Sequence, residues 1–116
     1  MVRRDTGEKK PMPQESLVHE LPVMLEDIQA ALFKRAKERL EASFVTVESY
    51  DDFKKAIKEK PGFVVAPWCG SRECEKRISD KTKATVRLVP ATAEDAPACI
   101  SCGKGPAKKV PFAIAY

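Results

Sequence analysis

The four cysteines of the chain form two close pairs, and this arrangement constrains its fold more than any other feature. Cys69 and Cys74 enclose four residues, whereas Cys99 and Cys102 enclose two. Two short loops of this kind supply the ligands of a tetrahedral zinc site, in which Zn–S bonds are about 2.3 Å long. The spacing therefore predicts that residues 69–102 belong to one folded unit that a zinc ion closes.

Three other states of the cysteines remain as alternatives. Two disulfides need an oxidising compartment, and the N-terminal sequence MVRRDTGE lacks the apolar segment of a secretory signal peptide. A redox-active dithiol at Cys99 and Cys102 would be expected at the start of a helix, but the following GKGP favours a turn. Unligated thiols are the third alternative. The sequence favours zinc over all three.

The residues around both pairs suit thiolate ligands. Gly103 directly follows the second pair, and glycine readily adopts the positive φ that turns backbone N–H groups toward sulfur. Ser71 is predicted to cap a helix that has Cys74 as its third residue, where the helix dipole favours a thiolate. Pro67 and Trp68 are expected to shield one side of the site from water, although ordinary core packing explains Trp68 equally well.

Composition sets limits on function. The chain has 116 residues, enough for one domain, and its net charge of +4 is too mild to indicate nucleic-acid binding by itself. The basic residues are interleaved with acidic ones, as in 34–39 (KRAKER), which favours a solvated helix face over an RNA surface. No apolar run is long enough to span a bilayer. His19 is the only histidine, and we predict no catalytic and no cofactor-binding residue.

The hydrophobic pattern predicts an α+β fold. A long N-terminal helix over 15–43 carries apolar residues every three or four positions, and Pro22 implies either a start near that residue or a kink. A β-α-β-α-β-β two-layer sandwich follows, with both helices on one face of a four-stranded mixed sheet and a four-cysteine zinc site. The predicted strands are 44–47, 63–68, 84–89 and 111–116; the predicted helices are 49–59 and 71–81; residues 90–98 are predicted to be a loop.

Several segments resemble the C-terminal zinc-binding domain of prolyl-tRNA synthetase, in the archaeal- and eukaryotic-like form that some bacteria also have. The segments that carry this resemblance are 67–75 (PWCGSRECE), 81–90 (KTKATVRLVP), 99–104 (CISCGK) and the terminal 112–116 (FAIAY). Upstream, 3–9 (RRDTGEK), 25–29 (LEDIQ) and 32–36 (LFKRA) are similar to the last strand and exit helix of the family's anticodon-binding domain. The resemblance extends over essentially the whole chain.

The resemblance implies that residues 1–43 are a remnant of the anticodon-binding domain with its connecting helix, and that 44–116 are the zinc-binding domain. It implies a structural zinc held by Cys69, Cys74, Cys99 and Cys102. The family joins proline to tRNA(Pro) with ATP on a class II catalytic core. None of that core is expected here, so this chain alone is expected to bind no ATP and to be inactive.

The resemblance also implies partners for the full-length enzyme: tRNA(Pro), the catalytic domain of the same enzyme and a second copy in a homodimer. We expect no membrane partner and a cytoplasmic location. Tyr116 corresponds to the family's closing tyrosine, which packs near the catalytic domain. A free-standing zinc module that binds RNA and a redox-active dithiol protein remain the alternative functions.

Overall fold

A computed structural model describes residues 1–59 and 62–115 of the chain. It divides the chain into two compact units, Met1–Glu41 and a second that starts at Ala42. The elements, in chain order, are α1 Leu17–Ala42, β1 Phe44–Thr46, α2 Tyr50–Glu59, β2 Phe63–Trp68, α3 Arg72–Thr82, β3 Ala84–Val86, β4 Asp95–Ala96 and β5 Ala107–Ile114.

The first unit consists of an N-terminal ribbon and the helix α1. The ribbon, residues 1–10, turns back on itself at Gly7, whose φ of 76° is left-handed, and pairs Val2 with Lys9 in a single antiparallel bridge. One 3₁₀ turn, Gln14–Ser16, then leads into α1. Lys10 Nζ lies 2.8 Å from Glu20 Oε2, which attaches the end of the ribbon to the first turns of the helix.

The helix α1 begins before Pro22 and runs through it, so the alternative start near Pro22 is wrong. Proline has no N–H, and the helix therefore lacks one main-chain hydrogen bond at this position. The predicted apolar pattern is present, but no residue of α1 is buried. Among the described residues, no helix is both long and apolar enough to cross a membrane.

The second unit is a mixed sheet with two helices. The strands lie in the order β1-β2-β5-β3, and β4 pairs with the start of β5, so the predicted four strands are joined by a short fifth. The strand β1 runs parallel to β2, whereas β5 runs antiparallel to both β2 and β3. The last strand in the chain thus lies between two strands that run parallel to each other.

One face of this sheet and both helices share a single hydrophobic core. Phe53 of α2 contacts Phe112 of β5 edge to face, with ring centroids 5.2 Å apart. Both side chains are fully buried, as are Ile78 of α3 and Val110 of β5. Since α2 and α3 pack into the same cluster, the prediction of two helices on one sheet face is confirmed.

Several predicted boundaries differ from those observed. The strand predicted over 84–89 ends at Val86, and the strand predicted over 111–116 begins four residues earlier, at Ala107. Residues 90–98 contain the two-residue strand β4, where a loop was predicted. These segments pair only with distant parts of the chain, so local propensity does not show where pairing starts. Tyr116 lies outside the described residues.

Candidate metal centre

Three segments of the second unit carry the four cysteines. Cys69 directly follows β2, and Cys74 is the third residue of α3, as predicted. Cys99 and Cys102 lie in the tight turn between β4 and β5. Their four sulfur atoms all lie within 4.8 Å of one another. The tertiary fold therefore brings both predicted pairs to one point.

Backbone hydrogen bonds hold the two loops together. The Ile100 N–H donates to the Pro67 carbonyl at 2.9 Å, which joins the second cysteine turn to the end of β2. Within that turn, the Gly103 N–H donates to the Cys99 carbonyl at 2.8 Å, and Gly103 has the expected positive φ of 69°. Gly70, after the first cysteine, is also left-handed at 82°. Both turns therefore depend on a glycine.

Small and aromatic side chains surround the sulfurs. Cys74 and Cys99 are buried and pack with Ala96 and Ala107, while Cys69 and Cys102 are half-buried. Trp68 packs against this cluster and also against the main core. Its indole Nε1–H donates to the Ser71 carbonyl at 3.1 Å, across the first cysteine loop. Trp68 therefore has both roles that the sequence left open, shielding the cysteines and filling the core.

Ser71 occupies the predicted N-cap position of α3, but its hydroxyl makes no capping hydrogen bond. Its backbone N–H instead lies against the sulfur of Cys69, where it lowers the pKa of that thiol. The position of the helix start was thus predicted from a side-chain cap that does not form. Ser71 contacts the cysteine cluster through its backbone N–H and not through its hydroxyl.

The sulfur atoms have unequal electrostatic environments. Burial, followed by the nearby thiols of Cys69 and Cys102, raises the pKa of Cys74 to about 12. Burial also raises the pKa of Cys69, against the opposing backbone N–H of Ser71. The backbone N–H of Lys104, as the largest cause, lowers the pKa of Cys102 to about 7. Without a cation, burial therefore favours the neutral thiols of Cys69 and Cys74, whereas the backbone donor favours the thiolate of Cys102.

A tetrahedral zinc ion fits the observed spacing. With Zn–S bonds of about 2.3 Å, neighbouring sulfurs in a tetrahedron are about 3.8 Å apart. The sulfurs of Cys69 and Cys102 are 3.9 Å apart, and no pair exceeds 4.8 Å. A disulfide instead needs about 2.05 Å between sulfurs, and all four cysteines are free thiols. The cluster matches four ligands of one ion better than two separate disulfides.

One contact at the site was missed by the sequence analysis. The guanidinium Nη2 of Arg77 lies 3.7 Å from the sulfur of Cys74 and supplies a positive charge beside this buried cysteine. The spacing of three residues on a helix was a usable signal, because residues i and i+3 are neighbours on a helix surface. Among the described residues, these four cysteines are the only group of three or more His, Cys, Asp or Glu side chains close enough to share an ion.

Comparison with known proteins places this site in a family. The family model described as "Prolyl-tRNA synthetase, C-terminal" matches residues 50–116, which include all four cysteines. The chain belongs to the prolyl-tRNA synthetase family. Its matched segment is the C-terminal domain of that family, as the resemblance predicted.

Relatives of this chain match it from end to end. The proline–tRNA ligase of Natranaerobius thermophilus is 40% identical over 118 residues, and the alignment covers 100% of this chain and 24% of that protein. The ligase of Cytophaga hutchinsonii is 39% identical over 117 residues with the same coverage. The chain therefore spans about a quarter of the length of these curated relatives.

Solved structures agree with the sequence relatives. The prolyl-tRNA synthetase of Cryptosporidium parvum, in a crystal structure with L-proline and AMP, superposes with a TM-score of 0.90 at 29% identity. The match covers 99% of this chain and 25% of that one. The same enzyme complexed with halofuginone and AMPPNP gives a TM-score of 0.88 at 28% identity.

Proposed function

We propose that this chain is the structural C-terminal part of a proline–tRNA ligase, the enzyme that joins proline to tRNA(Pro) with ATP. The observation that carries the proposal is the match of the family's C-terminal model to the segment with all four cysteines. The chain aligns with only 24% of the length of the ligases it resembles. We assign ATP use, proline activation and aminoacyl transfer to the rest of such an enzyme.

Within the chain, we assign residues 1–43 to the end of the anticodon-binding domain with its connecting helix, and residues 44–116 to the zinc-binding domain. Two observations support this division. The chain separates into two compact units between Glu41 and Ala42, and the C-terminal family model begins at residue 50.

The four cysteines are assigned to one structural zinc ion. A dication lets all four thiols ionise together, including Cys74, which burial otherwise keeps protonated. Four protein sulfurs complete a tetrahedron and leave no open position for a substrate or a reactive water. The ion would therefore stabilise the junction of β2, α3 and the turn before β5 without taking part in chemistry.

Metal analysis of protein purified under reducing conditions tests this assignment. We expect about one zinc per chain. The variant Cys99→Ser should lose most of the metal, whereas Ser101→Ala, in the same turn but without a ligand atom, should retain it. Equal zinc content in the two variants, or metal-free wild-type protein with two disulfides, would refute the assignment.

A redox-active dithiol is the first alternative, and thiol titration separates it from zinc. Thiolates held by zinc should react slowly with a thiol reagent and quickly once a chelator removes the metal. A redox dithiol should react at the same rate with and without the chelator. The 3.9 Å between the sulfurs of Cys69 and Cys102, from different pairs, favours a shared ion over a reaction within one pair.

The proposed partners in a full-length enzyme are tRNA(Pro), the catalytic domain of the same chain and a second subunit of a homodimer, in the cytoplasm. The isolated chain is expected to be inactive. Proline-dependent pyrophosphate exchange tests this, with the full-length Natranaerobius thermophilus ligase as the positive control. Exchange above background by this chain alone would contradict the assignment of catalysis to the remainder of the enzyme.

A free-standing RNA-binding module is the second alternative. One observation favours it: Lys54, Lys55 and Lys58 of α2 line a shallow surface depression. Asp51 lines the same depression and pairs with Lys54 at 2.8 Å, which reduces its positive charge. We therefore expect weak, salt-sensitive binding with no preference for tRNA(Pro) over an unrelated tRNA. A preference that persists at raised salt would favour the RNA module instead.

A further inference from the structure

The four cysteines differ in how far solvent reaches them. Cys74 and Cys99 are 3% and 2% exposed, whereas Cys69 and Cys102 are half-buried. Cys69 also lines an open depression of about 250 Å³ in the second unit. A water molecule occupies about 30 Å³ in the liquid, so this depression admits a small oxidant such as hydrogen peroxide. Each cysteine pair therefore has one sulfur that a small reagent can reach and one that it cannot.

The backbone shows the same division. Cys74 lies in the first turn of α3, and backbone hydrogen bonds hold Cys99 through both its N–H and its carbonyl. Cys69 and Cys102 instead lie in loops, and each is directly followed by a glycine with a positive φ. Glycine has more accessible backbone conformations than other residues, so these loops can adjust with little steric cost. The buried sulfurs are held in place, and the accessible ones lie in loops that can adjust.

The two accessible sulfurs are neighbours, although they belong to different pairs. The sulfurs of Cys69 and Cys102 are 3.9 Å apart. A disulfide needs about 2.05 Å, so its formation requires them to approach by about 2 Å. A structural zinc site needs four protein ligands, and a disulfide between these two cysteines removes half of them. Oxidation of this one pair would therefore release the ion and leave both buried cysteines as thiols.

We propose that a peroxide converts the zinc-held second unit into a form that a Cys69–Cys102 disulfide crosslinks. This inference rests on the zinc assignment proposed above. It differs from the redox-active dithiol alternative, because the reduced state is a set of zinc-bound thiolates and the reaction joins the two pairs. Cys74 and Cys99 remain unoxidised.

The reaction balances with hydrogen peroxide as the oxidant. The thiolate sulfur of Cys69 or Cys102 attacks one peroxide oxygen, the O–O bond breaks, and a sulfenic acid and hydroxide form. The other thiolate then attacks the sulfenic sulfur, the S–S bond forms and a second hydroxide leaves. Each of the two sulfurs loses one electron, and both peroxide oxygens become water after they take up protons. The thiolates of Cys74 and Cys99 each gain a proton as the zinc ion departs unchanged in oxidation state.

Peroxide titration of the zinc-loaded, reduced chain tests this coupling. The zinc content is measured first; released zinc is then followed with a chromogenic chelator, and the remaining thiols are counted by alkylation and mass spectrometry. We expect about one zinc to be released for about every two thiols lost. Diamide, which oxidises thiols without donating oxygen, is the control and should give the same ratio. A thiol reductant with added zinc should restore the starting form.

Tryptic digestion of the alkylated product without reduction identifies the disulfide. Cleavage after Arg72 places the cysteines of the first pair on different peptides, whereas Cys99 and Cys102 share residues 88–104. We expect the peptide with Cys69 to be linked to 88–104. Fragmentation of the linked peptides should place the link at Cys102 and the alkyl group at Cys99.

Four results would overturn the proposal. A main product with its disulfide within one pair would show that exposure does not select the reacting sulfurs. Loss of all four thiols before zinc leaves would contradict the coupling, and so would a chain that keeps its zinc and its thiols in millimolar peroxide. Protein without zinc before the oxidant is added would refute the zinc assignment itself, whereas the other three results would leave that assignment intact.

Discussion

Replacing Phe112 with leucine should measure how much the contact between α2 and the sheet stabilises the second unit. Phe112 is fully buried on β5, opposite Val64 of β2 on one side and Val86 of β3 on the other. Its ring meets Phe53 at 83°, with centroids 5.2 Å apart. The substitution therefore removes an edge-to-face ring contact and leaves unfilled space at the centre of the core.

We expect the free energy of unfolding to fall by about 1–2 kcal/mol, of which about 0.5–1.5 kcal/mol comes from the aromatic contact. For a unit of this size, the melting temperature should fall by roughly 5–15 °C. Urea unfolding at a fixed, saturating zinc concentration is the assay, because bound metal itself adds to the stability of the folded state. Phe112→Ala is less informative, since its cost of about 3–5 kcal/mol approaches the whole stability of a small domain.

Phe63→Leu is the matched control. The rings of Phe63 and Phe44 stack with their centroids 4.9 Å apart, but Phe44 is 41% exposed, so this pair lies at the solvent-exposed surface. We expect a loss of about 0.5 kcal/mol there. A double-mutant cycle of Phe53→Leu and Phe112→Leu should give a coupling near the aromatic value above. Equal losses for Phe63→Leu and Phe112→Leu, or strictly additive effects in the cycle, would show that the core is not organised around this ring pair.

Three further predictions follow from local contacts. Ser49→Ala should destabilise the protein by about 1 kcal/mol, because the Ser49 hydroxyl oxygen caps α2 at 3.1 Å, whereas Ser71→Ala should change little in urea unfolding because that hydroxyl makes no cap. Thr82→Val should lower the free energy of unfolding by about 1–3 kcal/mol, because the buried Thr82 hydroxyl accepts a hydrogen bond from the Ala84 N–H at 3.2 Å. A smaller loss of stability in thermal melting would mean that water accepts the hydrogen bond from the Ala84 N–H in the variant. In the metal-free protein, burial raises the pKa of Cys74 to about 12, so its contribution to stability is complete below about pH 8.5 and is lost as the pH rises. Urea midpoints should fall with alkalinity in the metal-free wild type and less steeply in Cys74→Ser; parallel slopes would contradict this.

Features that depend on near neighbours in the chain were readable from the sequence. The start of α2 near residue 49, the left-handed Gly103 after Cys102 and the position of Cys74 in α3 all follow from residues within a few positions. The two cysteine pairs also predicted that their loops meet, because a tetrahedral ion needs both. Zinc itself remains a prediction.

Features that depend on distant partners were decided by the tertiary structure. The strand β5 begins at Ala107 because β4 and the end of β2 pair with its first residues. The residues near 107 do not indicate these partners. The apolar pattern of α1 predicted a helix correctly, but the same pattern occurs in buried helices and in exposed ones and does not distinguish them. Periodicity reports the conformation of the backbone, whereas burial depends on what the rest of the fold brings to that surface.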